Sequence, residues 1–247
     1  MAVNLDKHYQ KLLHYAKLNS YVLGLVLAGS RGKGKITAHS DYDVFIIIKN
    51  RTPKKFRKEL TDFRKLDFDS FVMDLTSFKN YAAWGGPYAW DRYNFTRLKA
   101  PLDKTGEVQK IVSEKGSIPA KHRKQFIKDG LDHYINQVYR SIKTHRDGDM
   151  LASRLEGNEA IQPMLNAVFA LHGRLKPYYK YLDWELKFHP LNKLPISQKR
   201  FLNMIGKIAK SGDLKTQVKL LKILAKMFLH NGYKHDWEWK FNWLVNY

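Results

Sequence analysis

The sequence predicts an α/β N-terminal part followed by an all-helical part, and two observations lead to this division. Between about residues 20 and 75, short apolar and β-branched runs alternate with glycine-containing or basic stretches, as is typical of strands joined by loops and helices. From residue 119 onward, apolar residues recur with helical periodicity and little strand signal remains. We therefore place the boundary near residue 118.

Strands are predicted in the N-terminal part where short apolar runs are bounded by polar residues. These runs cover residues 22–28, 44–48 and 68–75. A helix with lysines between its apolar positions is predicted over residues 5–18, and a basic helix is predicted after Pro53. Residues 29–40 are polar and contain three glycines, which predicts a loop between the first two strands.

The second part is predicted to consist of amphipathic helices. The first is long, and its apolar face spans residues 126–142. Another covers residues 150–175, with Pro163 bending or splitting it, because proline lacks the N–H that a helix requires. A later helix begins after Asp213, a good N-cap residue, and stops at Gly232.

The composition is strongly basic. The net charge is +21, from 44 lysines and arginines against 23 acidic residues. A field of that sign attracts the phosphates of a nucleotide or an RNA backbone, or an acidic partner. The alternative is a solubilising lysine-rich surface, since the lysines are spread along the whole chain.

Cysteine usage and apolar runs bear on location. There is no cysteine, which excludes disulfides and thiolate metal sites and fits a cytoplasmic protein. The longest apolar stretch, residues 21–29, is far shorter than the roughly 20 residues that a membrane-spanning helix needs. The first residues lack a basic segment followed by an apolar one, so no secretory signal is expected. We expect a cytoplasmic protein without a membrane partner.

The strongest candidate for chemistry is a pair of acidic residues, Asp41 and Asp43, at the start of the second strand. Side chains two positions apart on a strand point to the same face, so the two carboxylates lie side by side. Such like charges repel unless a cation lies between them, and Mg²⁺ prefers oxygen ligands together with phosphates. The pair therefore predicts a site for Mg²⁺, or Mn²⁺, with a nucleoside triphosphate.

Residues that suit phosphate binding follow the first strand. Gly29 lets the backbone turn sharply and approach a phosphate, and the Ser30 hydroxyl can donate to phosphate oxygens. Arg31 and Lys33 can neutralise a triphosphate. Together with Ser40, which adjoins the acidic pair, these residues are the predicted nucleotide contacts.

The Gly-Ser pair, the loop and the Asp-x-Asp flanked by apolar residues resemble the signature of the DNA polymerase β-like nucleotidyltransferase superfamily. The best match is to its minimal, aminoglycoside and lincosamide nucleotidyltransferases, and it rests on about residues 20–75. The resemblance implies an α+β nucleotidyltransferase domain, with a small mixed β-sheet and helices, followed by an all-α helical bundle. We assign residues 1–118 to the nucleotidyltransferase domain and residues 119–247 to a helical substrate-binding domain.

The resemblance also implies a third carboxylate on a neighbouring strand. Asp74 is our choice, because an acidic residue between apolar residues on a strand requires a reason. Asp69 is the rival. In a purely structural interpretation, Asp74 ends the strand and caps the turn before Ser77.

Enzymes of the antibiotic-modifying branch draw a general base from the helical domain, which takes the proton of the acceptor hydroxyl. Glu156 and Glu159 are the candidates here, because residues three positions apart share a helix face. Alternatively, both belong to the solvated surface of that helix.

Two weaker signals complete the site candidates. Arg140 and His145 are spaced as in the motif of the HEPN ribonucleases, which they resemble. The aromatic segment 84–93, with Arg92, either stacks a base or acceptor or forms a buried cluster.

The leading hypothesis is an enzyme that transfers a nucleoside monophosphate from Mg–NTP, with ATP the expected nucleotide, to an acceptor hydroxyl. Pyrophosphate leaves, and two metal ions stabilise the attacking and leaving oxygens. The acceptor is a small molecule, an RNA or a protein, and the resemblance leaves a homodimer open. The alternatives are a non-catalytic nucleotide- or RNA-binding, antitoxin-like module and a helical-domain ribonuclease.

Overall fold

The computed structural model of the chain describes residues 4–236 and 238–246. Two units emerge from the contacts within the chain, Met1–Ser117 and Ile118–Tyr247. The first combines a small mixed sheet with helices, and the second is a long helical region. The predicted fold class is therefore confirmed.

The strands of the first unit form one sheet, with the order β3-β2-β1-β4. Their bounds are β1 Val22–Leu27, β2 Tyr42–Ile48, β3 Phe68–Asp74 and β4 Leu102–Asp103. The helices are α1 Leu5–Leu18, α2 Gly29–Gly32, α3 Lys54–Thr61, α4 Leu75–Asn80, the 3-10 helix η1 Ala89–Phe95 and α5 Glu107–Lys115. The central strand β2 runs antiparallel to β1 and parallel to β3, while β4 pairs antiparallel with β1.

The two faces of the sheet carry separate apolar clusters. On one face, Val44 and Ile46 of β2 pack with buried residues of α1 and with Leu60 of α3. On the other face, Phe45 and Ile47 pack with buried residues of α4, η1 and α5. Because side chains alternate along a strand, Asp43 lies on the same face as Phe45 and Ile47.

The three long strands lie close to where the apolar runs predicted them. The single helical turn α2 occupies the start of the predicted loop 29–40. The strand β4 and the helices α4 and η1 lie where the sequence has no clear period. A strand of two residues cannot show an alternating pattern, so only its pairing with β1 defines it.

The second unit is built from helices. They are α6 Ala120–Arg146, α7 Met150–Glu159, α8 Ile161–Leu171, α9 Tyr179–Phe188, α10 Gln198–Ser211, α11 Leu214–His230 and α12 Glu238–Val245. As predicted, the chain is split near Pro163, because α7 ends at Glu159 and α8 begins at Ile161. Asp213 caps α11 by accepting a hydrogen bond from the Thr216 N–H at 2.8 Å. None of the helices in the described part of the chain is long and apolar enough to cross a membrane.

Small residues bring the long helices of the second unit into close contact. A Cβ at Gly130 of α6 would lie 3.1 Å from the Pro163 carbonyl oxygen of α8. A Cβ at Gly157 of α7 would lie 2.7 Å from the Gln217 side-chain nitrogen. The same Gln217 nitrogen donates to the Ser141 hydroxyl at 3.0 Å, so a buried hydrogen bond connects α11 to α6.

Candidate active site

The close approach of Gly29 to Asp43 defines the centre of the candidate site. The Ala28 N–H donates to the Asp43 carbonyl oxygen at 2.8 Å, which holds the end of β1 against the start of β2. Gly29 has φ +59°, and a Cβ at this position would lie 2.0 Å from Asp43 Oδ2. Only glycine tolerates both the backbone conformation and the carboxylate. Gly29 is therefore required where the chain turns past Asp43.

The turn that follows is equally tight. The Gly32 N–H donates to the Ala28 carbonyl oxygen at 2.9 Å, closing the single turn of α2. A Cβ at Gly32 would lie 2.1 Å from the Leu27 carbonyl oxygen. The Lys35 N–H donates to the Ser30 carbonyl oxygen at 2.9 Å. Half-buried Ser30 is thus held in a compact turn next to Gly29.

Asp41 and Asp43 flank a buried tyrosine. The Tyr42 ring stacks on Tyr9 of α1 with centroids 5.1 Å apart, and its hydroxyl donates to Asp6. Burial, followed by the hydrogen bond to Asp6, raises the pKa of Tyr42 to about 12. Since neighbouring side chains on an extended chain point to opposite sides, Asp41 and Asp43 are directed away from α1. Asp41 is exposed and Asp43 is half-buried.

The Arg31 side chain makes several contacts with other residues of the first unit. Its Nε lies 3.2 Å from the Ser40 carbonyl oxygen and 3.1 Å from that of Asp41. Its guanidinium lies 4.0 Å from the centre of the Tyr42 ring and 3.2 Å from an Asp6 carboxylate oxygen. Arg31, predicted to neutralise a triphosphate, therefore fixes the backbone that carries the acidic pair.

Lys33 and Ser40 also make internal contacts. The Lys33 ammonium donates to the carbonyl oxygens of Tyr93 at 2.9 Å and Thr96 at 3.1 Å. The buried Ser40 hydroxyl accepts a hydrogen bond from the Thr37 N–H at 2.8 Å. Both residues were expected to contact nucleotide, yet in the structure they hold the loop and its neighbour η1 in place.

Asp74 does not lie near the acidic pair, which corrects its assignment as the third carboxylate. It is opposite Ile48, at the far end of β2 from Asp43. Five positions along a strand correspond to about 16 Å. Asp74 also lies on the other face of the sheet, where an Arg57 nitrogen is 3.4 Å away. Its carboxylate caps α4 by accepting the Ser77 N–H at 2.8 Å, and this hydrogen bond is the main cause of its lowered pKa.

Asp69 is the acidic residue that lies beside Asp43. The two are directly opposite in the parallel pairing of β2 and β3 and therefore share a face. Each is the second residue of its strand and follows a buried aromatic residue, Tyr42 or Phe68, and this shared pattern could have identified Asp69 from sequence. The Asp69 carboxylate lies 3.1 Å from the Arg64 guanidinium, and both side chains are largely accessible.

Among residues 4–236 and 238–246, no group of three or more His, Asp or Glu side chains is arranged to hold a metal ion. The Asp69 carboxylate instead forms an ion pair with the Arg64 guanidinium. Asp41 directly precedes β2 and Asp43 lies on it, while the register with β3 places Asp69 opposite Asp43.

The two candidate general bases lie on α7 in the second unit. Glu156 Oε1 lies 2.8 Å from Arg140 Nε and 2.5 Å from an Arg140 terminal nitrogen, and Glu156 is mostly buried. Glu159, at the end of α7, is exposed. Burial, and to a lesser extent the charge of Glu159, raises the pKa of Tyr179. Arg140, the candidate ribonuclease residue, is therefore the partner of Glu156.

The aromatic segment 84–93 is built around a buried arginine. Arg92 donates to the carbonyl oxygens of Ala82 at 2.9 Å, Glu114 at 2.5 Å and Ser117 at 2.9 Å. Burial lowers its pKa. The Arg92 side chain therefore ties loops together and is not presented to a base, whereas Tyr88 and Trp90 of the same segment are exposed.

The first half of the chain is similar to a known protein family. Residues 10–129 match the family described as nucleotidyltransferase domain. No curated protein sequence matches the chain significantly. Among solved structures, a nucleotidyltransferase-like protein from Exiguobacterium sibiricum 255-15 is similar over 98% of this chain and 87% of that chain, with 11% identity and a TM-score of 0.41. That score is too low to support a functional argument. The matched span includes Gly29, Asp41, Asp43 and Asp69, so the candidate site lies within the part of the chain that is similar to a nucleotidyltransferase domain.

Proposed function

We propose that this protein transfers a nucleoside monophosphate from a nucleoside triphosphate to an acceptor hydroxyl, with release of pyrophosphate. The observation that carries the proposal is the contact between the Asp43 carboxylate and Gly29, at the point where β1 turns past β2. Asp41 precedes Asp43 by two positions and Asp69 lies opposite it. The match of residues 10–129 to the nucleotidyltransferase domain supports the reaction class.

The acidic residues suit a hard divalent cation by ligand type, because carboxylate oxygens are the ligands that Mg²⁺ prefers. Asp41, Asp43 and Asp69 would hold Mg²⁺, or Mn²⁺. When bound, the ions supply electrostatic stabilisation of the phosphate oxygens. Asp69 must exchange its contact with Arg64 for the cation. Asp74, on the opposite face, has no part in this set.

The triphosphate would lie along Gly29 and Ser30. The glycine lets a phosphate approach the main chain, and the serine offers a hydroxyl donor. Arg31 acts indirectly by keeping the Asp41 backbone in place. Catalysis then depends on positioning and on electrostatic stabilisation of the transferred group.

The acceptor side of the reaction is proposed from the helical unit. Glu156 or Glu159 would take the proton of the acceptor hydroxyl. Glu159 is the more accessible, whereas Glu156 is paired with Arg140. We further propose that ATP is the donor and that the acceptor is a small molecule, an RNA or a protein. The proposal also includes a cytoplasmic location and a homodimer.

A second candidate function is a non-catalytic nucleotide- or RNA-binding module. The engagement of Arg31 and Lys33 with carbonyl oxygens favours it, since these cations are then not directed at a triphosphate. A helical-domain ribonuclease is a third candidate. The pairing of Arg140 with Glu156 speaks against a free Arg140, and His145→Ala tests this role directly.

Thermal unfolding with each of the four NTPs, with and without Mg²⁺, tests the proposal. A ligand at about 100 times its Kd stabilises the folded state by about 2.7 kcal/mol, so a clear rise in Tm is expected with one NTP and Mg²⁺. Asp43→Asn should abolish this rise. Pyrophosphate release with that NTP then identifies acceptors. Absence of any magnesium-dependent rise would favour the non-catalytic module.

A further inference from the structure

Positive charge is concentrated in the α10–α11 region. Residues 191–235 contain ten lysines and arginines and one acidic residue, Asp213. This segment therefore contributes +9 of the chain's net charge of +21. The Asp213 carboxylate is occupied as the N-cap of α11. A surface with this excess of positive charge is typical of proteins that bind polyanions.

The cations of α11 form a stripe. It consists of Lys215, Lys219, Lys222 and Lys226, all of them exposed. Their spacing of four, three and four positions places them on one helix face, over a length of about 16 Å. Within the described residues, none of the four forms an ion pair with a carboxylate. We call this group the lysine stripe.

In the described part of the chain, three grooves border the lysine stripe, and one of them, of about 650 Å³, includes Lys222 and Lys226 together with Tyr233, Glu238 and Phe241. The other two adjoin each other. One, of about 700 Å³, runs past Leu214 and Val218, and the other, of about 430 Å³, runs past Met227 and His230. They share Arg200 and Ile223, so they form a continuous depression. The residues that line them include no acidic side chain. An extended anionic chain is thus accommodated without like-charge repulsion.

We propose that the lysine stripe and these two adjoining grooves bind single-stranded nucleic acid through the phosphate backbone. Lysine ammonium groups on flexible stems act as point charges for phosphates and do not select a base. The lining of these two grooves includes no Phe, Tyr or Trp ring on which bases could stack, so we expect binding there to be independent of sequence. This surface is distinct from the Gly29–Asp43 site and does not depend on nucleotide transfer.

Salt dependence of binding tests the proposal, with a labelled RNA of about 20 nucleotides as the probe. Fluorescence anisotropy is measured between about 50 and 200 mM salt. The stripe variant carries Lys→Gln at 215, 219, 222 and 226. The matched control carries the same change at four exposed lysines of the first unit, at 11, 17, 54 and 55. Both variants lose the same net charge.

The stripe variant should weaken binding by at least about tenfold at the lowest salt. It should also flatten the log–log salt slope by about 0.7 for each phosphate that the variant no longer neutralises. The control should change the affinity by less than about threefold. Poly-U and poly-A, and DNA of the same length, should bind with similar affinity. Circular dichroism and Tm verify that both variants fold.

Three results would overturn the proposal. Equal decreases in affinity in both variants would assign binding to the overall charge of the protein. Poly-glutamate that competes as well as RNA at equal charge would identify an acidic protein as the partner. Undetectable RNA binding at the lowest salt would remove the function altogether. Asp43→Asn should leave RNA binding unchanged, which separates this outcome from failure of the proposed nucleotide transfer.

Discussion

Asp43 lies directly opposite Asp69 across the parallel strands β2 and β3, whereas Asp74 lies opposite Ile48 on the other face of the sheet. The register of the two strands therefore decides which acidic residue can join the site. Under the proposed function, this relationship separates a metal-binding carboxylate from a helix-capping one on the same strand. It can be tested with a matched pair of substitutions.

Asp69→Asn is expected to remove the magnesium-dependent Tm rise with NTP and to lower activity at least about tenfold, because a charged oxygen ligand is removed. Asp74→Ala is expected to retain both, while destabilising the fold by about 1 kcal/mol through loss of the α4 cap. Tm and pyrophosphate release measure the two effects. Loss of activity in Asp74→Ala with the Asp69 variant unaffected would restore Asp74 to the site.

The contact between Gly29 and Asp43 predicts a second pair of phenotypes. Gly29 and Gly34 both have positive φ, but a Cβ at Gly34 meets nothing within 4 Å. Alanine at either position should cost about 1 kcal/mol or more in stability through backbone strain. Only Gly29→Ala should also displace the Asp43 carboxylate and abolish NTP-dependent stabilisation. Retention of that stabilisation in Gly29→Ala would show that the contact has no role in binding.

Arg31 should act through the backbone it holds. Arg31→Gln removes the contacts to the Ser40 and Asp41 carbonyl oxygens and is expected to weaken NTP binding by about tenfold or more. Arg31→Lys should behave almost like glutamine, because one ammonium group cannot reproduce the guanidinium geometry over Tyr42. Titration of Tm with NTP measures both variants. Full function of Arg31→Lys would instead indicate a simple charge contact with phosphate.

His172 predicts a pH dependence of stability in the helical unit. Its Nε2 accepts the Lys193 N–H at 2.9 Å, so its Nδ1 carries the proton and donates to the Val168 carbonyl oxygen at 2.8 Å. Burial lowers the pKa of His172 below the usual value of about 6.5. The unfolded chain therefore binds more protons than the folded one in this interval, and stability falls as the pH drops below about 6.5.

Urea unfolding at several pH values between neutrality and acid measures this effect. The loss of stability on acidification should be smaller in His172→Gln than in the wild type. Because burial also lowers the pKa of His235, His235→Gln serves as the comparison, and part of the slope should remain in each variant. An unchanged slope in His172→Gln would assign the acid sensitivity elsewhere.

The parts of the fold that follow from local pattern were predictable. β1, β2 and β3 are apolar runs, and the helices of the second unit are long enough to display their period. The acidic pair and Gly29 could be proposed as a site because chemistry and spacing both lie within one short segment, and the structure brings Gly29 against Asp43. The two-residue β4 was not, since it exists only through its partner strand.

The structure favours Asp69 over Asp74 for a long-range reason. Both acids lie on β3, and the parallel register places Asp69 beside Asp43. The aromatic residue that precedes each of Asp43 and Asp69 was the one local signal for this pairing. The internal roles of Arg31 and Lys33 were missed for a related reason. Their partners are backbone carbonyl oxygens, which every residue possesses, so residue type gives no signal.

The space between Gly29 and Asp43 also limits how this sequence can change over time. A side chain at position 29 would occupy the volume that the Asp43 carboxylate already fills. Any lineage that gains even a methyl group at 29 must shorten or redirect the residue at 43, and thereby lose the acid. The glycine and the carboxylate are therefore inherited or abandoned together, so a degenerate, inactive descendant of this protein should show both changes.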